Sequence, residues 1–202
     1  MSAFVTGYQN DIFVCYAWVD NATIPGIDIG WVSHLVVTLE NILAQTLGRA
    51  DIFELWMDKK RDSHTVRLTS EIFEKVERSA TFLAVLSPGY LQSQWCMEEL
   101  ACFIAKVISS PKGSLRRIFI VEKTGYGIER PKALLDNITY PLWYRDHDNR
   151  IRTLGLPRYR PEETEYYYSL PDTFSRSKLI HRKQQGSRSL RSKSDQAVGA
   201  RV

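Results

Sequence analysis

The chain has 202 residues, 44% of them hydrophobic and 25% charged, the make-up of one sizeable globular domain with length to spare. No apolar run approaches the roughly 18–20 residues of a membrane-spanning helix, and Met1 to Asn10 lacks the basic start and apolar stretch of a secretory signal. The net charge of +4 is uneven: of 27 Lys/Arg and 23 Asp/Glu, eight and two lie in Pro171 to Val202, leaving 19 and 21 before them, so a basic nucleic-acid face on the folded part is excluded.

In chain order, Asp11-Ile12-Phe13-Val14-Cys15-Tyr16-Ala17 is a short apolar run rich in β-branched and aromatic residues, which predicts a buried strand. The turn-rich stretch Asp20 to Gly30 follows, with Pro25 and glycines. Trp31 to Leu47 has helical spacing, with Leu35, Leu39, Ile42, Leu43 and Thr46 on one face and Gly48 as the stop. Ile52 to Met57 reads as a second strand, and the charged stretch Asp58 to His64 as a loop. Leu68, Ile72, Phe73 and Val76 form the stripe of a second helix, and Thr81 to Leu86 is a continuous apolar strand ended by Ser87-Pro88-Gly89. Leu91 to Ile108 is predicted as one helix, Arg117 to Val121 as a fourth strand, and Pro141 to Tyr144 as part of a fifth. Glu162 to Leu170 starts a last helix, and the Ser-, Arg-, Lys- and Gln-rich remainder has too little to bury and is expected to be disordered.

Strands without polar alternation need cover on both faces, which a parallel sheet between helices supplies. The expected fold class is therefore a flavodoxin-like, doubly wound α/β sheet of about five parallel strands with helices on both faces. In such sheets ligands bind at the carboxyl ends of the strands, at the topological switch point. That directs interest to Tyr16–Asp20, Trp56–Asp62 and Ser87–Glu99. No metal-ligand spacing, Gly-x-Gly-x-x-Gly or P-loop occurs, so no metal or resident cofactor is expected. The three cysteines, Cys15, Cys96 and Cys102, are odd in number and lie in apolar segments, which favours free thiols in a reducing, cytoplasmic compartment.

Within the third helix, Cys96, Leu100, Phe103, Ile104 and Val107 make an apolar stripe at about 100° per residue. Glu98 falls opposite that stripe, while Glu99 falls at its edge, one turn after Trp95. On spacing alone, a glutamate there most often rims the helix.

Three segments carry a resemblance. Asp11 to Ala17 resembles the first conserved box of Toll/interleukin-1 receptor (TIR) domains. Ser70 to Ser79 resembles their second helix. Leu86-Ser87-Pro88-Gly89-Tyr90-Leu91-x-Ser93-x-Trp95-Cys96-x-x-Glu99-Leu100 resembles the pattern around their third strand, in the version common in bacterial and plant members. The likeness runs over residues 8–170 in the expected order, leaving 171–202 as a basic tail. It implies an enzyme that cleaves nicotinamide from NAD+, a glycohydrolase or cyclase, with Glu99 as the catalytic carboxylate. Tyr16, Ala17, Trp56, Asp58 and Trp95 are the candidate NAD+ contacts; a loop cap is the more common role for a residue such as Asp58, and Trp95 is equally a core aromatic. The resemblance further implies self-association through TIR–TIR contacts, a role in defence or signalling, and a separate sensor protein as partner, with no membrane contact. Two other readings stay open: a non-catalytic module acting by homotypic contacts, and a deoxyribosyltransferase-like enzyme of the same topology. Departures from the family are Cys15 for the usual Ser, no Arg-Asp-x-x-Pro-Gly in Asp58 to His64, and the long insert Val19 to Gly30.

Overall fold

The run Asn10–Tyr16 forms β1, buried at every residue. It belongs to a sheet with β2 (Leu55–Met57), β3 (Ser79–Leu86), β4 (Ile118–Glu122) and β5 (Thr139–Pro141). The strand order is β2-β1-β3-β4-β5, every neighbouring pair parallel. This computed structural model describes residues 3–23, 25–48, 53–58, 67–110 and 115–155.

Helices cover both faces, and the alternation of β1 shows how. Ile12, Val14 and Tyr16 pack with Trp31, Leu35, Leu39 and Leu43 of α1 (Trp31–Leu47). Phe13, Cys15 and Ala17 pack with Ile72 and Val76 of α2 (Arg67–Glu77) and with Leu100 and Phe103 of α4 (Gln94–Ser109). This is the expected flavodoxin-like, doubly wound arrangement. The chain leaves β1 for β2 on one side and returns to β3 on the other, so the switch point lies between β1 and β3. Among the described residues no helix is long and apolar enough to cross a membrane.

The aromatic centre of the second core is Phe82, stacked with Phe13 at 5.6 Å between centroids and tilted against Phe103 at 5.2 Å. Phe82→Ala is expected to cost about 3–5 kcal/mol, because the cavity left among rigid neighbours adds to the lost burial. Urea unfolding should show a lower midpoint at an unchanged slope.

Four expectations change. The helix predicted as one piece from Leu91 is two: α3 (Pro88–Gln92) and α4, separated at Ser93. Ser93 is extended, and its Oγ accepts from the Cys96 N–H at 3.3 Å, the geometry of an N-cap. Ser87-Pro88 starts α3 rather than only ending β3, with Ser87 as N-cap and Pro88 in the first turn. The fifth strand lies earlier, and Trp143–Arg145 instead forms β6, antiparallel to β7 (Ile151–Thr153). Thr46 is exposed, its hydroxyl donating to the Ile42 carbonyl at 2.8 Å. α1 matches the prediction, with Gly48 in the left-handed region at φ 66° as its stop. The last helix from Glu162 and the tail 171–202 lie outside the described residues, as does the Asp58–His64 loop beyond Asp58.

At the amino ends of the strands, β4 joins β3 only from Phe82. The earlier β3 carbonyls take side-chain donors: Arg117 Nε to Ala80 at 2.6 Å and Lys106 Nζ to Ser79 at 2.8 Å. Both cations lie over the rings of Tyr8 and Phe103. Burial, then the neighbouring Arg117 charge, lowers the Lys106 amine from 10.5 to about 8. Between those values the unfolded chain holds a proton that the folded chain has released, so stability rises with pH across this window. The contribution is fully present above the unfolded value and lost as pH falls through about 8. Relative to a Lys106→Met variant, the protein should gain stability from pH 8 to 10 in denaturant melts; parallel pH profiles would contradict this.

Candidate functional site

Parallel strands deliver their carboxyl ends to one side, which brings Tyr16, Asp58, Ser87 and Lys123 to the same rim. There a small, partly open cleft is lined by Phe13, Val14, Tyr16, Trp18, Trp56, Asp58 and Glu99. The Tyr16 hydroxyl donates to the Asp58 carbonyl, which ties the end of β2 to the end of β1. Trp56 stacks on Phe13 at 4.9 Å and 18°, so one indole face belongs to the core.

Glu99 reaches the cavity because Ser93 fixes the start of α4. From that start Cys96, Glu99, Leu100, Phe103 and Val107 turn inward. The spacing put Glu99 at the edge of this stripe; the structure buries it, at 5% exposure. Glu98 turns the other way and accepts from Gln94 Nε2 at 2.8 Å on the exposed face.

Behind Glu99 lies a dry polar group. The Cys15 thiol, fully buried, donates to the Cys96 carbonyl at 3.8 Å. Burial pushes this thiol well above the ordinary cysteine range, and the Cys96 bond and the Glu99 charge push the same way. The buried Tyr90 hydroxyl is raised by burial and then by Cys15. All three cysteines are free thiols, and Cys15, held as a neutral thiol, is no nucleophile.

Of the residues singled out in the sequence, Tyr16, Trp56, Asp58 and Glu99 meet at this cavity, whereas Trp95 and Ala17 do not line it. Trp95 shares a helix face with Glu99 but is 44% exposed. Helical side chains lean back toward the amino end, and Trp95 is the second residue of α4, with no turn beneath it. Ala17 is buried instead in the α4-side core. There a Cβ on Gly89 would stand 3.3 Å from the Ala17 Cβ and 2.7 Å from Val19 Cγ1, so a larger residue would press on Ala17 and push the exposed Val19 side chain aside.

Sequence reasoning marked the segments Tyr16–Asp20 and Ser87–Glu99 but did not single out the residues in them that frame the mouth, and it missed Lys123. After β1 the chain makes a 3-10 turn, Trp18–Asn21. Its Asp20 is buried, accepts from the Ser87 hydroxyl, and pairs through Oδ1 with Lys123 Nζ at 2.9 Å. Lys123 also donates to the Asp20 carbonyl at 3.1 Å. Asp20, Ser87 and Lys123 follow β1, β3 and β4, so this network laces three strand ends together across the switch point. In the sequence Asp20 reads as an ordinary turn residue; only the N-cap character of Ser87 before Pro88 was a usable signal.

The arrangement defines a class: a doubly wound α/β protein with a buried carboxylate and several aromatic rings at the switch-point cleft. The model of the TIR domain family matches residues 12–154, and the chain belongs to the TIR-domain family. It is similar in structure to the TIR domain of the Toll-related receptor TRR-2 from Hydra magnipapillata, at 15% identity and a TM-score of 0.41. That match covers 65% of this chain and 84% of the Hydra chain. No curated protein matches the chain.

Proposed function

We propose that this TIR domain is an NAD+ nucleosidase of the bacterial type. The observation that carries the reading is Glu99: a buried carboxylate on a well-capped helix, opening into an aromatic-lined cavity at the switch point. Scaffolding alone has no use for such a group. The nicotinamide of NAD+ is a pyridinium. When its bond to ribose C1′ breaks, the electron pair passes to the ring nitrogen and cancels the ring's charge. The leaving group is then neutral and needs no proton donor, unlike the oxygen leaving groups of ordinary glycosidases with their paired carboxylates.

One carboxylate suffices for what remains. Glu99 accepts hydrogen bonds from the ribose hydroxyls, and its charge stabilises the positive charge that grows on the sugar. Water adds at C1′ and loses a proton, giving ADP-ribose; where the adenine of the same molecule reaches C1′ first, the product is cyclic. Tyr16 and Asp58 hold the β1 and β2 ends of the cavity together, and Trp56 supplies an aromatic wall. NAD+ is thus a substrate, and no resident cofactor or metal enters the reaction.

TIR domains generally self-associate, and assembly of protomers through TIR–TIR contacts is the expected activating step, prompted by a separate sensor in a cytoplasmic defence or signalling pathway. The test is nicotinamide release from NAD+ by dispersed and by clustered protein. Turnover that rises steeply on clustering supports the reading. No turnover in either form would leave a module that signals by contact alone.

A further inference from the structure

The cavity is lined by two tryptophans, Trp18 and Trp56, and two acidic residues, Asp58 and Glu99; among the described residues no Lys, Arg or His lines it. Such a lining suits a flat ligand ring that carries positive charge. Trp56 has one face committed to Phe13, and Trp95 lies away from the lining. Trp18 differs from both, lining the cavity while 48% of it remains exposed.

That exposure is held in place. Trp18 begins the short 3-10 turn whose Asp20 is bound by Ser87 and Lys123. Asp20 N–H also closes the turn on the Ala17 carbonyl at 2.9 Å. The next residue, Val19, lies with its γ-methyl over Gly89. An apolar side chain of this size kept half in water by a partly buried ion pair two residues away is preorganised for a ligand.

We propose that Trp18 is the substrate-recognition residue of this chain, its indole stacking on the positively charged ring of an N-substituted pyridinium, with Asp20 as the positioning residue that holds the indole there. This rests on the nucleosidase reading for the identity of the natural ligand, but the recognition itself concerns any ring of that chemistry. The attraction between a cation and an indole face is strongest when the ring carries its full charge. The charge leaves the ring as the bond to ribose breaks. Trp18 therefore favours the ground state over the transition state, and its loss should raise KM without lowering kcat.

The probe is 1-methylnicotinamide, a pyridinium with no ribose to cleave, set against neutral nicotinamide of nearly the same shape. Binding is read on the full chain from the indole N–H signals of ¹⁵N-labelled protein, assigned by single substitution. The cation should bind roughly tenfold more tightly than nicotinamide and shift the Trp18 signal most. Trp18→Leu should shrink the difference between the two probes to what the acidic residues alone supply, Trp18→Phe should keep more of it, and Trp18→Leu should raise KM for NAD+ at undiminished kcat. Equal binding of the two probes would overturn the proposal. So would cation binding left undiminished by Trp18→Leu in a protein whose unfolding midpoint is unchanged. If NAD+ is not cleaved yet 1-methylnicotinamide binds through Trp18, the recognition stands and the nucleosidase reading falls. If NAD+ is cleaved and Trp18→Leu alters neither KM nor probe binding, the reverse holds.

Discussion

Glu99→Gln should lower nicotinamide release from NAD+ on the order of 10²–10³-fold while leaving the fold intact. The amide keeps the shape and volume of the carboxylate and removes only its charge, so the buried pocket behind it, with Cys15, Cys96 and Tyr90, keeps its packing. What is lost is stabilisation of the positive charge on the ribose, largest in the transition state. The loss should therefore fall on kcat, with KM for NAD+ little changed. Glu99→Asp tests position in place of charge. Shortening the side chain by one methylene draws the carboxylate back from the cavity, and a displacement of about 1 Å can itself cost on the order of 10²-fold. Steady-state rates on clustered protein distinguish the two; a Gln variant as active as the parent would remove Glu99 from the chemistry.

The second large effect is on stability. Asp20→Ala should cost about 2–4 kcal/mol, because it leaves the half-buried Lys123 amine without its counter-charge and frees the Ser87 hydroxyl that caps α3. For a domain of this size the melting temperature should fall on the order of 10 °C. Lys123→Met should cost a comparable amount from the other side. The double variant Asp20→Ala with Lys123→Met should cost clearly less than the two single changes summed, since neither partner is then left charged without its counter-ion. A double-mutant cycle in urea measures this; strict additivity would show that the pair does not act as a unit.

The framework was readable because its signal is local. β1 and β3 are continuous apolar runs, and such strands belong inside a parallel sheet. α1 carries a regular stripe and a glycine stop. The break at Ser93 was hidden because one extended residue between two helices does not disturb the apolar period on either side. β6 and β7 have three residues each, too few for alternation to show.

At the site, a helical wheel separates Glu98 from Glu99 but reports an angle and not a depth. It therefore paired Glu99 with Trp95, whose place at the start of α4 leaves it outside the lining. The ion pair of Asp20 with Lys123 joins residues 103 positions apart, and no spacing rule reaches across the strand order that brings them together. Trp18, inside the marked segment Tyr16–Asp20, was not singled out for the same reason: its position depends on the turn that Asp20 holds.

The measurement that bears most directly on the whole account is chromatography of NAD+ incubated with clustered wild-type and Glu99→Ala protein. Wild type should yield nicotinamide and an equal amount of ADP-ribose or its cyclic form, and Glu99→Ala neither. Equal nicotinamide release by the two proteins, or none from either under clustering, would contradict the assignment of Glu99 as the group that drives cleavage.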